Sequence, residues 1–256
     1  MPGHVVDTIR TIASAHEVVL ERIAAAAGRT RRDPAAVALV AVTKTVEPER
    51  ICAAVEAGIR TFGENRVQEA IAKQPAIASG VPGEPPRWHL IGPLQSNKAR
   101  RAVEAFDVIE TVDSVELARR LDRIAGELRP ETPLPVLLQV NIDRDPAKAG
   151  FDPDDIDSAL VELNEIDHLR IDGLMTVGRQ VEAPEAARPT FRALRDLAER
   201  LRGRHPKLGS ELSMGMTDDF EVAVEEGATI IRIGRALFGE RPHQHDRLGG
   251  GDDHRH

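Results

Sequence analysis

The run Val37-Ala38-Leu39-Val40-Ala41-Val42-Thr43-Lys44 decides the fold. Through Thr43 it reads as a strand buried on both faces, because a continuous apolar run of this length suits a parallel strand covered on each side. It closes on an amine. A lysine ammonium seldom enters such a core without a partner or a purpose. At the C-terminal tip of a barrel strand the amine would point to the face where α/β barrels carry their chemistry. Desolvation there lowers a lysine pKa and makes the amine a better nucleophile toward a carbonyl. A lysine that merely ends a strand and extends its stem toward water fits the same spacing equally well. The choice falls to the rest of the chain.

Working outward, strand and helix patterns alternate. Strands are predicted at 37–44, 60–65, 87–92, 107–112, 134–142, 169–177, 211–215 and 229–234. Helices are predicted between them at about 48–58, 66–78, 97–105, 114–129, 153–166, 184–204 and 218–227. A further helix over 5–27 carries Val5, Ile9, Ile12, Val19 and Ile23 at helical spacing, and the alanines 24–27 with Gly28 end it. Eight such repeats predict an α/β fold, a single (β/α)8 TIM barrel whose N-terminal helix fills the remaining place in the outer ring. An open doubly wound sheet is the alternative fold. No Gly-x-Gly-x-x-Gly follows the first strand, which weighs against a dinucleotide fold. One domain is expected over 1–242, with 78–86 as a Pro/Gly loop inside it. The tail 243–256, with three consecutive glycines and four histidines, is expected to be disordered.

The chain has 256 residues and a net charge of −8, from 42 acidic and 34 basic side chains. Nucleic-acid binders usually carry a basic surplus, so a phosphate-rich polymer is not the expected partner. A local basic pocket for one phosphate remains compatible with this balance. The only cysteine, Cys52, excludes an internal disulfide and a thiolate metal site. No apolar run approaches membrane-spanning length, and the first residues lack a basic region followed by an apolar one. A soluble, cytoplasmic protein is therefore expected. There is no tyrosine.

Several strands end in polar or glycine residues that a pure core would not need. They include Gly63-Glu64-Asn65, Trp88-His89, Gln139-Val140-Asn141, Ser213-Met214-Gly215 and Arg232-Ile233-Gly234-Arg235. In a barrel these groups converge with Lys44 at one mouth. Barrels often bind phosphate with the loops after strands seven and eight. Ser213 supplies a hydroxyl there, and Gly215 and Gly234 let backbone N–H groups approach an anion. Arg232 interrupts an apolar run, so its guanidinium needs an acceptor. A glutamate inside or under the barrel and a ligand atom are both candidates. His89 is as readily a buried neutral histidine with a backbone partner as a ligand contact.

These segments resemble the pyridoxal phosphate homeostasis proteins, the YggS/PROSC type. The matching stretches are Ala-Val-Thr-Lys-Thr (41–45), Phe-Gly-Glu-Asn-Arg-Val-Gln-Glu (62–69) and Trp-His-Leu-Ile-Gly-Pro-Leu-Gln-Ser-Asn-Lys (88–98). They continue with Lys-Ala-Gly-Phe (148–151), Gly-Leu-Met-Thr-Val-Gly (173–178), Leu-Ser-Met-Gly-Met-Thr-Asp-Asp-Phe (212–220) and Arg-Ile-Gly-Arg-Ala-Leu-Phe-Gly (232–239). The resemblance implies a barrel like the N-terminal domain of alanine racemase. It implies pyridoxal 5′-phosphate (PLP) bound covalently, as a Schiff base on Lys44. It further implies that Ser213, Gly215, Gly234 and Arg235 surround the phosphate and that Arg232 faces the pyridine nitrogen. By the same carry-over Asn65 and Met214 line the cofactor, and His89 lies near the site. Arg66 and Thr217 stand where the family often has tyrosine and serine. Asp-Arg-Asp-Pro-Ala before Lys148 departs from the family's usual version.

An arginine beside the pyridine nitrogen disfavours its protonation and weakens the ring as an electron sink, although racemases of this barrel type work with one. Racemisation also needs proton transfer on both faces of the substrate. Lys44 could serve one face, and alanine racemases take the other base as a tyrosine from a second domain. The expected function is therefore intracellular PLP homeostasis, by buffering or delivery, with little or no turnover. The alternative is a slow PLP-dependent amino-acid racemase with His89 as the first candidate for the second base. A Schiff-base aldolase acting on a sugar phosphate ranks below both. Apo PLP-dependent enzymes are the expected recipients and a monomer the expected state. Neither nucleic acid, membrane nor a resident metal is expected.

Overall fold

The computed structural model describes residues 2–239 apart from 82 and 180, with side chains from residue 5 onward. The tail at 243–256 and the expected domain end at 242 lie outside the described residues. Eight parallel strands close into one barrel in sequence order. They are β1 (Ala38–Val42), β2 (Thr61–Glu64), β3 (Arg87–Leu90), β4 (Val108–Val112), β5 (Leu134–Gln139), β6 (Leu169–Met175), β7 (Glu211–Met216) and β8 (Ile230–Ile233). The helices are α1 (Pro2–Arg29), α2 (Pro48–Glu56), α3 (Val67–Gly80), α4 (Ala99–Ala105), α5 (Val115–Leu128), α6 (Ile156–Glu162), α7 (Arg188–Arg202), α8 (Phe220–Glu225) and α9 (Arg235–Phe238).

Each predicted strand is present; seven are shorter than predicted, and β7 runs one residue further, to Met216. The runs overreach because residues past a strand end can stay buried at the mouth without ladder bonds. Thr43 is fully buried yet lies beyond β1. Several predicted helices begin or end as a tighter turn. The segment 184–204 divides into a 3-10 turn (Pro184–Ala187) and α7, and 153–166 narrows to α6 with a 3-10 turn at Leu163–Glu165. The short α9 after β8 was not anticipated, because four residues carry no periodicity.

The end of α1 also differs from expectation. The helix runs past Gly28, whose position meets nothing nearby, and stops at a left-handed residue, Arg31 (φ 58°). The Arg32 N–H donates to the Ala27 carbonyl at 2.9 Å, as in a Schellman ending with arginine in glycine's usual place. Arg32 then reaches the Val224 and Ala228 carbonyls near α8, which helps hold that turn. Along α1, Ile12, Val19, Ile23, Ala26 and Ala27 form the buried stripe. The helix packs on α2, α8 and α9, and so completes the outer ring.

Side chains alternate across the barrel wall, as strand geometry requires. Phe62, Leu90, Ile109, Leu138, Leu174, Met214 and Ile231 belong to the core between wall and helices. Amphipathic helices supply its other half. In α5, Leu117, Ala118, Leu121, Ile124 and Ala125 are buried, and Ser114 caps the start by accepting the Leu117 N–H. A smaller cluster, Val40, Leu137, Met175 and Ile230, fills the inside of the barrel.

Close strand approach is decided at Gly173. A Cβ there would lie 1.9 Å from the Glu211 carbonyl oxygen of β7, where the register shifts opposite Val136 and Leu137. Gly173→Ala is expected to cost about 3 kcal/mol, at the upper end for overpacking. Thermal unfolding should show a melting temperature lower by roughly 6–12 °C. A variant melting with the parent would refute this account of the β6–β7 junction.

Candidate functional site

Pairing of β1 with β8 sets Val40 opposite Arg232 and Ala41 opposite Ile233. The chain's first strand thereby delivers Lys44 beside the residues that follow β8. A cavity of about 410 Å³ opens at this mouth. Lys44, Lys148, Arg179, Arg232 and Arg235 on its wall face only two carboxylates, Asp218 and Asp219. A chain with a net charge of −8 has gathered a cationic pocket, the complement of an anionic ligand.

Of the residues read from the sequence, Lys44, Arg232, Gly234 and Arg235 line this cavity. Lys44 is half-buried in the turn after β1. The Val46 N–H donates to the Thr43 carbonyl at 2.9 Å, and Thr45 sits at φ 64°. A β-branched residue in the left-handed region is an outlier that costs on the order of 1–3 kcal/mol and persists only where surroundings impose it. Arg235 pairs with Asp218 at the corner where α9 begins.

The two glycines of the last strands differ in what they are for. Gly215 has φ 92°, and a Cβ there would lie 2.5 Å from Ala223 Cβ of α8, so both its backbone and the tight strand–helix packing require glycine. Gly234 has φ −114°. A Cβ there would meet Val42 at an ordinary 3.5 Å, so neither backbone nor packing demands glycine. The space it leaves belongs to the cavity.

The other named residues lie off the cavity wall. Asn65 is half-buried after β2, and its backbone presses on Gly92, where a Cβ would be 2.3 Å from the Asn65 carbonyl oxygen. Met214 points outward into the core under the helices. His89 and Ser213 join a buried polar chain inside the barrel. His89 Nδ1 is 2.6 Å from Glu110 Oε1, and Ser213 Oγ is 2.5 Å from Glu110 Oε2. Arg232 donates from Nη1 to Ser213 Oγ at 2.5 Å and from Nη2 to the Thr176 carbonyl at 2.8 Å. Its guanidinium lies 3.9 Å from Glu110. Ser213 Oγ and the Thr176 carbonyl are therefore Arg232's acceptors and Glu110 inside the barrel is its counter-charge, while the same arginine reaches the cavity.

Sequence reading missed Glu110, Asp219 and the placement of Lys148. The signal for Glu110 was a carboxylate inside Val108-Ile109-Glu110-Thr111-Val112, the acidic counterpart of Arg232 in its own apolar run. Two buried charges of opposite sign call for each other. Lys148 arrives on a loop folded back against β5. Phe151 N–H donates to the Gln139 carbonyl, and Asn141 Nδ2 donates to the Asp145 carbonyl, both at 2.8 Å. Gln139 Nε2 also donates to the Ala149 carbonyl at 2.8 Å, so the Gln139 and Asn141 side chains shape this loop. Lys148 Nζ then donates to the Gly178 carbonyl at 2.8 Å.

A larger cavity, about 550 Å³, opens beside α6 and the N-terminal end of β6. Its basic side chains are already matched: Arg170 by Asp172, Arg204 by Asp157, which also bonds His205, and Lys207 by the Asn164 carbonyl. Among the described residues no cluster of three or more metal-binding side chains occurs, and no helix is long and apolar enough to cross a membrane.

Burial pushes the Glu110 carboxyl up, but His89, Arg232 and Ser213 outweigh it and hold its pKa below the ordinary 4.5. Burial lowers Arg232, which still keeps its charge as arginine does. Burial raises Asp219, against the Met216 N–H and Arg232. A depressed carboxyl stabilises the fold above its unfolded pKa, and that contribution is lost as pH falls through the folded value. Glu110→Gln should cost about 3–5 kcal/mol at neutral pH, since it strands the buried arginine. In urea denaturation the gap from the parent should narrow below about pH 4. A gap independent of pH would show that Glu110 is not ionised in the fold.

The model of the alanine racemase N-terminal domain family matches residues 18–242. The pyridoxal phosphate homeostasis protein of Pseudomonas aeruginosa is 42% identical over 234 residues, covering 90% of this chain and 96% of that protein. Among solved structures, PipY of Synechococcus elongatus PCC7942 with PLP bound is 44% identical, with a TM-score of 0.75, covering 86% of this chain and 100% of PipY. Alanine racemase of Clostridium difficile 630 shares the fold alone, at 15% identity and a TM-score of 0.65, and this chain spans 57% of it. By sequence identity across most of its length, the chain belongs to the pyridoxal phosphate homeostasis protein family, built on the barrel of the alanine racemase N-terminal domain.

Proposed function

We propose that this chain binds PLP at the barrel mouth with Lys44 as its covalent anchor, and buffers or delivers the cofactor inside the cell with little or no turnover. The observation that carries this reading is one cavity wall on which an amine, a buried arginine and a dispensable glycine meet. PLP would supply an aldehyde for that amine and an electron-withdrawing ring. The relatives named for pyridoxal phosphate homeostasis and the PLP-bound PipY structure support the choice of ligand.

Each residue has a task in this reading. Gly234 leaves room for the phosphate beside the first turn of α9. Arg235 adds positive charge at the same corner, and the Ser213 and Gly215 segment forms the neighbouring strand end. Ser213 could offer its hydroxyl only by leaving Glu110. Arg232, held from behind by Ser213 and Thr176, faces the ring nitrogen with its charge intact. Lys148 supplies a second amine at the rim.

The surroundings of Lys44 support the low-turnover reading. His89, the candidate second base, is buried on Glu110 and off the cavity wall. The chain contains no tyrosine to replace it. Apo PLP-dependent enzymes remain the proposed recipients, and a cytoplasmic monomer the proposed working form.

Protein reconstituted with PLP should show a visible absorption band that borohydride abolishes, leaving a pyridoxyl group on the Lys44 peptide. Lys44→Ala should lose the adduct and keep weak phosphate-dependent binding. No band and no adduct in the parent would end the PLP reading, and robust steady-state racemisation of an amino acid would end the carrier reading. Gly234→Ala should fold within about 0.5 kcal/mol of the parent. It should weaken PLP binding roughly tenfold or more, because a buried ligand cannot share its place with a methyl group. Unchanged affinity would remove Gly234 from the site.

A further inference from the structure

Behind the wall that carries Lys44 lies a second lysine, on α3. Lys73 Nζ donates to the Thr43 carbonyl and to Glu64 Oε1, each at 2.8 Å. Thr43 Oγ1 donates to the same carboxylate oxygen, also at 2.8 Å. Glu64 is fully buried, and its other oxygen, Oε2, has no hydrogen-bond partner among the described residues. Neither Lys73 nor Glu64 reaches the cavity. A buried ion pair with an unused oxygen is a poor device for stability alone, since apolar side chains of similar volume often serve as well or better.

What the pair grips is the backbone next to Lys44. The Thr43 carbonyl takes both the Lys73 ammonium and the Val46 N–H, which closes the turn. That turn contains Thr45 at φ 64°, in the position where a type II turn favours glycine. A strained turn keeps its shape only when its surroundings over-determine it. We propose that Lys73 and Glu64 are a positioning pair that clamps the Thr43–Val46 turn from behind the sheet and so aims the Lys44 amine into the cavity. The pair touches no ligand and acts through Thr43. This inference rests on the reading of Lys44 as the amine that takes a carbonyl.

The test uses formaldehyde with cyanoborohydride as the probe, without PLP. Methylation of Lys44 is followed by peptide mass spectrometry across pH and scaled to Lys207, an exposed lysine near the N-terminal end of β6. The charged groups on the cavity wall, Lys148, Arg179, Arg232, Arg235, Asp218 and Asp219, are the same in every variant. Lys73→Met is expected to slow Lys44 methylation about three- to tenfold and to move its pH midpoint, as misplacement of a reacting group does. Glu64→Gln keeps the shape of the side chain and remains informative if Lys73→Met does not fold. It should act in the same direction, less strongly. Through charge alone the two substitutions would move Lys44 in opposite directions, because one removes a cation and the other an anion. Opposite changes, or unchanged rates in folded variants, would overturn the proposal. A parent that forms no pyridoxyl adduct would instead sink the proposed function and leave this result standing.

Discussion

The parallel pairing of β1 with β8 is the constraint on which the rest depends. Until Val40 lies opposite Arg232, Lys44 and the Gly234–Arg235 segment are separated by most of the chain. Closure brings amine, guanidinium and glycine to one wall. It also removes the sheet edges, so that every strand finds two neighbours and no strand is left to pair with another molecule. Helix α1 covers the seam from outside. Arg22 forms a two-pronged pair with Glu221 of α8, both bonds at 2.9 Å, worth about 1 kcal/mol at this exposure. The apolar stripe beneath it does more of the holding.

Closure also creates an electrostatic problem that the interior solves with its own residues. Arg232 cannot shed its proton, so the barrel surrounds it with Ser213, the Thr176 carbonyl and Glu110. Glu110 in turn occupies His89. The consequence for function is that the arginine is held on one side and its position is settled before any ligand arrives. A preorganised cation of this kind recognises a ring or an anion without paying to order itself. On the opposite face of the sheet, Glu64 and Lys73 repeat the pattern, with a backbone carbonyl as the group they hold in place.

Much of this could be read before any coordinates. The alternation of apolar runs with amphipathic segments announced eight strands, and Lys44 stood out as a charge closing a core strand. Gly234 and Arg232 were visible for the same reason: each breaks the pattern of β8. What escaped notice were groups whose meaning depends on a partner distant in sequence. Glu110 looked like one residue of a strand until it faced Arg232 and Ser213, and Lys148 looked like a loop lysine until its loop folded onto the end of β6. Gly215 and Gly234 looked alike in the sequence. Their difference lies in what surrounds each, Ala223 for one and open cavity for the other. Met214 shows the limit of reading a motif as a unit, since alternation along β7 turns it away from its neighbours Ser213 and Gly215.

The sequence by itself determined the architecture, because hydrophobic periodicity is local and eight strand–helix repeats of this size have few ways to bury their faces. It also determined which unusual residues stand at strand ends. Only the tertiary structure decided which of them meet, which face water or a cavity, and which are consumed in balancing each other's charge. Those outcomes depend on barrel register and on contacts between residues far apart in the chain, such as Glu110 with Ser213, 103 positions on, and Arg22 with Glu221, 199 positions on. No local pattern encodes such a distance, since a one-residue change of register would send every side chain of a strand to the other face.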